Sequence, residues 1–330
     1  MKKFRLLSPF KFFSLGLLAA AGCLLPAPLT RAAGFSPGNL AVEYCPNNSS
    51  ASTTFAILEL SPNTAGQSAP VNSNSIPSTG ASALRQSASA GTTGYLSTTA
   101  DGTLLVFTAF EDATGVSDET TILPRGVATL DSSTNYTLQS SYTGTSGSQT
   151  RGATSLDNKT WLIADKGGVY TNGASAPVNV TNVIDAKAFG STVYFLSQKS
   201  TTVISALSAD ATSLNLMTDL PADAATADFY LVSSGNNGTY DVLYYIDETS
   251  ASAGTIFKYS LVGGTWTANG SYTTSFGGDG LCAALNGSGG TYLYVTTGKG
   301  GTSANKVIKL NDTAGYNATL AITTANNITL

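Results

Sequence analysis

The chain of 330 residues contains no histidine, and charged residues make up only 11% of it. Without histidine, neither a Ser-His-Asp triad nor a histidine-ligated metal site can be built. Cysteine is nearly absent too, at three residues. Cys23 lies in an apolar N-terminal stretch, and the remaining pair, Cys45 and Cys282, is too small for a zinc site of thiolates. An exported chain permits a disulfide between them. Two such cysteines also fit as small buried hydrophobes, and that reading is preferred. A net charge of −4, with no Lys/Arg cluster beyond residue 12, excludes a nucleic-acid partner, which would need a basic face. GxSxG, a Walker A loop and a strand-borne dinucleotide fingerprint are likewise missing. Beyond residue 25 no apolar run reaches the roughly 20 residues a bilayer requires.

What is present points to strands and turns. Hydrophobic residues at 42% are too many for a disordered chain. The 34 glycines, among abundant Ser, Thr and Asn, suit tight turns between β-branched runs. The N-terminus reads as an export signal: Lys2, Lys3, Arg5 and Lys11 precede an apolar stretch over 12–25, and Thr30-Arg31-Ala32 offers a cut after Ala32. Residues 1–32 are then a leader and 35–330 a single domain. A lipoprotein signal ending at Cys23 is the alternative, since Ala20-Ala21-Gly22-Cys23 resembles a lipobox; an uncleaved anchor is a third.

The clearest structural signal lies in residues 241–272. Three β patterns, 242–246, 255–261 and 265–272, follow one another through a polar loop and Gly263-Gly264. With 228–233 in front they form a four-strand antiparallel meander. The same order, strand–turn–strand–loop–strand–turn–strand, returns about every 40–55 residues, a period that signals a propeller or another repeat array. The copies begin at 95–98, 152–156, 186–189, 228–233 and 281–285. Asp101-Gly102 between two apolar runs is a strong hairpin signal. The second strand of each copy is the most apolar, as expected of a strand buried on both faces. The last copy is read as 281–285, 292–296, 306–310 and 318–322, and 178–180 as the outer strand of the third.

The first copy holds only three patterns, 39–44, 55–60 and 71–76, and in register its innermost strand is missing. The expected fold is therefore an all-β propeller of six four-stranded blades with an incomplete first blade. Seven blades, another β-repeat array or a β-sandwich pair are the alternatives. Either 327–330 fills the missing place, or the chain is truncated at its C-terminus.

FKYSLVGGTWTANGSY (257–272), TSFGGDGLCAALNGSGGTYLYVTTG (274–298), DTAGYNATLAITTANN (312–327), STTADGTLLVFTAFE (97–111) and SQTRGATSLDNKTWLIADKGGVYTN (148–172) together resemble a family of exported bacterial propeller-like repeat proteins. The resemblance covers nearly the whole mature chain. It implies export and, in many members, a C-terminal sorting segment, which this sequence does not show. It implies no activity.

Candidate chemistry rests on carboxylates. Asp101, Asp157, Asp241 and Asp312 sit in predicted turns, where capping the turn is their ordinary role. Arg151, Asp185, Asp228 and Asp279 each stand at the start of an innermost strand, with Tyr95 in the comparable place of the second unit. In a propeller these positions ring one mouth of the central channel. Three carboxylates and an arginine there would hold a cation such as Ca²⁺ or a polar ligand. Capping of strand ends is the plain alternative. Trp161 and Trp266 lie in strand patterns, where core packing is the ordinary role and glycan stacking the other. The function expected is a secreted or surface-attached monomer, non-enzymatic, binding an extracellular polymer, glycan or protein. A metal-dependent hydrolase or lyase using the channel carboxylates is the alternative.

Overall fold

In the computed structural model the chain folds as a six-bladed β-propeller. The structure describes residues 3–7, 34–46, 51–87, 90–172, 182–199, 202–208, 211, 213–217, 219–220, 226–237, 240–298, 304–324 and 327–330. Blade 1 comprises β1 (Lys3–Leu7), β2 (Leu40–Cys45), β3 (Ala56–Leu60) and β4 (Asn72–Ser75). Blade 2 comprises β5 (Leu84–Arg85), β6 (Ser97–Thr98), β7 (Leu104–Glu111), β8 (Pro124–Asp131) and β9 (Tyr136–Thr143). Blade 3 shows β10 (Thr150–Ser155), β11 (Trp161–Asp165) and β12 (Gly168–Thr171). Blade 4 is β13 (Val183–Phe189), β14 (Thr192–Lys199), β15 (Thr202–Leu207) and β16 (Leu214–Leu216). Blade 5 is β17 (Thr226–Val232), β18 (Val242–Ser250), β19 (Ala253–Val262) and β20 (Thr265–Thr273). Blade 6 is β21 (Leu281–Leu285), β22 (Thr291–Thr296), β23 (Val307–Asp312) and β24 (Ile328–Thr329). Within each sheet successive strands pair antiparallel. Among the described residues no helix is long and apolar enough to cross a membrane.

Closure of the ring follows from the packing. Each of the six interfaces between neighbouring blades has its own buried apolar cluster. Phe55, Ile57, Leu105 and Phe107 join blades 1 and 2. Val106, Val127, Trp161 and Ile163 join blades 2 and 3, and Leu162, Val169, Val193 and Phe195 join blades 3 and 4. Leu196, Phe229, Leu243 and Tyr245 hold blades 4 and 5, and Tyr244, Ile246, Leu293 and Val295 hold blades 5 and 6. The seam between blades 6 and 1 is filled by Leu40, Val42, Leu58, Cys282, Tyr294 and Leu330. Alternation makes this possible: Tyr244 and Tyr245 on β18 face opposite neighbours because successive side chains leave opposite faces of a strand. Cys45 and Cys282 are both buried free thiols, so no disulfide staples the seam.

Three expectations are corrected. First, the inner place of blade 1 is occupied by β1, and residues 327–330 instead supply β24, which pairs with β23. Second, residues 318–322 form no strand: Leu320 N–H donates to Asn269 O at 2.7 Å and Ala321 N–H to the Asp312 carboxylate at 2.9 Å, so the segment hangs on blade 5 and a side chain. Leu320 and Ile322 still pack inward, which is why the pattern mimics a strand. Third, the inner strand of blade 2 is split. β5 and β6 pair with opposite ends of β7, and residues between them leave the sheet. There Gln86 satisfies Thr108 O with its side chain at 2.8 Å. The expected strand at 178–180 lies outside the described residues, as do Cys23 and Ala32.

Candidate functional site: the plugged channel and its mouth

The inner strands of blades 3, 4 and 5 share one irregularity. Their pairing slips by one residue between Thr150 and Gly152, between Val183 and Asp185, and between Thr226 and Asp228. Such a bulge re-aims the following side chain. Gly152, Asp185 and Asp228 thus hold equivalent places on the channel wall.

Those places build a plug. Tyr95, 2% exposed, donates its hydroxyl to Ala227 O at 2.9 Å, reaching from blade 2 to the opposite blade 5. Its backbone N–H donates to Arg151 O of blade 3. A Cβ at Gly152 would lie 2.5 Å from Asp185 Oδ1 and 3.2 Å from Tyr95 Cβ, so only glycine leaves room for the crossing ring. Lys187, two residues beyond Asp185 and on the same strand face, sends its ammonium to Asp185 and, at 2.5 Å, to Asp228 of the next blade. Asp228 also accepts Leu281 N–H of blade 6 at 2.7 Å and Phe229 N–H at 2.7 Å. One carboxylate therefore ties three blades together.

All five residues singled out from the sequence are buried. Arg151 donates to Asn182 Oδ1 at 2.7 Å and Val183 O at 2.9 Å. Asp279 is 1% exposed, and its N–H donates to Thr296 O. The structure brings Asp185 and Asp228 together and places Lys187 between them. The cation among these carboxylates is the protein's own ammonium. Among the described residues, no three Asp, Glu or Cys side chains converge as a metal site. Lys187 was missed in the sequence, although period-two spacing from Asp185 was the signal that could have found it.

Electrostatics follow from this burial. Desolvation, reinforced by Asp185, pushes Asp228 up to about 6 against the pull of Lys187. Desolvation alone would lower Lys187, but the two carboxylates outweigh it and raise the amine. At the rim the balance differs. Burial works to raise Asp101, yet hydrogen bonds from Thr99, Thr103 and Asn158 bring it to about 2. Backbone N–H groups of Thr160 and Lys159 hold Asp157 at about 2.

The signs give a pH prediction. Raised Asp228 binds protons better in the folded state, so its burial costs nothing below about pH 4 and its full penalty above about pH 6. Asp101 and Asp157 stabilise fully above about pH 4 and lose that contribution as pH falls toward 2. Raised Lys187 contributes constantly across this window. The melting temperature should peak between about pH 4 and 6. Calorimetry from pH 3 to 8 checks this, and Asp228→Asn should flatten the neutral side; a midpoint climbing steadily to pH 8 would contradict it.

Above the plug, at the end where the inner strands turn back, a cavity of about 500 Å³ opens. Its walls are Phe189, Tyr230 and Tyr240; Ser97, Thr98, Thr99 and Asp101 also line it, and Lys187 lies at its buried end. The Ser97 hydroxyl donates to Ala153 O and the Thr99 hydroxyl to Asp101. Tyr240 has φ +58, a left-handed conformation costly for a bulky residue. Its ring packs on Phe189 at 5.3 Å between centroids, and a Cβ at Gly190 would come within 3.3 Å of it. Trp161, by contrast, is buried packing, and Trp266 lies against the cluster between blades 4 and 5.

No family model matches the chain, and no curated protein matches it. Among solved structures, a candidate 6-phosphogluconolactonase from Bacteroides fragilis aligns with a TM-score of 0.53 and 15% identity, over 88% of this chain and 81% of that one. A second candidate 6-phosphogluconolactonase, from Bacteroides uniformis, gives 0.50 and 15%, over 88% and 82%. At this identity the likeness concerns the fold alone, and the chain shares with both bacterial proteins the β-propeller architecture.

Proposed function

We propose that the chain is an exported, non-enzymatic binding propeller whose ligand site is the blind mouth lined by Phe189, Tyr230 and Tyr240. The observation that carries this reading is how the charges are used. Asp185, Asp228 and Lys187 are consumed by one another and by Leu281 N–H, and Arg151 by Asn182 and Val183 O. Among the described residues lining the cavity, Asp101 is bonded by Thr99 and Thr103 and Lys187 is paired with Asp185 and Asp228, whereas the walls are aromatic. Ring faces suit a neutral polyol, because sugar C–H faces pack on aromatics. Tyr240 holds a strained left-handed backbone conformation with its ring against Phe189.

A panel of neutral gluco-, manno- and galacto-oligosaccharides, read by calorimetry, tests the proposal. At least one should bind, and Tyr240→Ala should weaken it by about 0.5–1.5 kcal/mol, the worth of an aromatic contact, with the melting temperature little changed. Binding of none, or binding indifferent to Tyr240→Ala, would overturn the assignment of the mouth.

A further inference from the structure

Blades 2 to 6 take their inner strand from the chain directly before the second strand, through a short turn. Blade 1 does not. Its inner strand, Lys3–Leu7, is joined to Leu40–Cys45 only through residues 8–39. The pairing is nonetheless complete over five residues: Lys3 opposite Cys45, Phe4 opposite Tyr44, Arg5 opposite Glu43, Leu6 opposite Val42 and Leu7 opposite Ala41. The strand also lies beside β21 and β22 of blade 6, so it closes the channel wall at the seam. All five residues belong to the stretch that reads as an export leader ending at Ala32. Cutting that leader would remove β1 from the inner edge of β2, and an open edge is a template for another strand.

We infer that the inner place of blade 1 is a strand-acceptor site. Before cleavage it is filled by the chain's own residues 3–7. After cleavage it takes an extended peptide of the same chemistry: five residues, apolar opposite Val42 and Ala41, basic opposite Glu43. Two further observations define the site. Ala41, Val42 and Cys45 are 1%, 0% and 0% exposed, so the strand edge sits deep between two blades and not on an outer rim. Glu43, 2% exposed, is held by Gln86 Nε2 at 3.3 Å, and a Cβ at Gly94 would lie 2.1 Å from its Oε1, so a glycine wall fixes the carboxylate at the register position of Arg5. Main-chain pairing supplies affinity in such strand addition, and alternate side chains supply selectivity.

The test uses the full chain with a protease site placed between residues 8 and 33. The probe is a fluorescein-labelled peptide of residues 1–10. Uncut protein should take up little peptide, because its site is filled in cis. Cut protein should exchange its own fragment for the probe at one-to-one stoichiometry. A probe carrying Arg5→Glu should bind at least about tenfold more weakly, because like charges opposite one another repel in a buried register. Glu43→Gln in the protein should reduce the preference for the Arg5 probe while the melting temperature reports that the fold survives. Equal uptake by cut and uncut protein, or no uptake by the cut form, overturns the inference. Recovery of exported protein with residues 1–32 still attached overturns exchange in the mature chain.

Discussion

Replacing Lys187 with methionine should cost about 3–5 kcal/mol of stability at neutral pH, the range for stripping one partner from a buried ion pair. The ammonium touches Asp185 and Asp228 at once, and neither side chain has water to fall back on: their side chains are 0% and 2% exposed. Methionine of similar length fills the volume, so packing is not the variable. What remains is two carboxylates facing each other without a counter-charge. The variant should therefore recover on acidification. Asp228, already at about 6 with the lysine present, would be pushed higher without it and would protonate first. Chemical denaturation of wild type and Lys187→Met at pH 7.5 and pH 5 checks both parts. A deficit unchanged between those two values would show that the loss comes from packing and not from charge. Because Asp228 also accepts Leu281 N–H, the damage should spread to blade 6 as faster amide exchange along β21.

Asp312→Ala should be of similar size, again about 3–5 kcal/mol, but at a different interface. Asp312 of blade 6 receives Lys258 of blade 5 at 2.9 Å and the Tyr244 hydroxyl at 2.7 Å. Its other oxygen accepts Ala314 N–H and Ala321 N–H, both at 2.9 Å. Lys258 adds bonds to Ala314 O and Gly315 O. Removing the carboxylate orphans a buried cation, a phenol and two backbone donors together. The double variant Lys258→Met/Asp312→Ala should regain a large part of the loss, because the desolvated charge has gone. A double-mutant cycle measures the coupling, and simple additivity of the two single losses would refute the clamp. Arg125, which reaches Asp165 at 2.5 Å with Tyr142 bonded to the same oxygen at 2.7 Å, repeats the device between blades 2 and 3.

The sequence carried most of the scaffold and little of the site, for physical reasons. Strand runs such as LLVFTAF and VLYYI, and the Asp101-Gly102 turn, are local signals, because backbone alternation and turn chemistry act over a few residues. The roles of Asp101, Asp157 and Asp241 as turn caps were legible for the same reason: each bonds N–H groups within seven residues of itself. Asp312 caps its turn in the same way through Ala314 N–H, but its pairing with Lys258 and Tyr244 of another blade was not legible. The channel plug depends on facts no local pattern holds. Tyr95 matters through its reach to Ala227, 132 residues away. Gly152 matters through the atoms its missing Cβ would strike. The period of the repeat located the inner strands of blades 3 to 6, but a single-residue bulge in three of them re-aims the side chains that follow. Residues 318–322 misled because an alternating apolar segment can satisfy its backbone on a neighbouring blade as well as in its own sheet.

The seam between blades 6 and 1 sets the kinetics of the molecule. Every other interface joins segments adjacent in sequence, but here Lys309 bonds Pro62 O across 247 residues and Gly66 N–H bonds Thr329 O. Contacts of such separation form late in folding, because the loop they close must be ordered before they repay it. The five sequence-local interfaces can assemble progressively as an open arc, and closure is then the slow step. In reverse, the seam is where native-state opening should begin, with β2 and β22 exchanging their amides before β18 does. A ring whose last joint is also its longest loop acts as a latch.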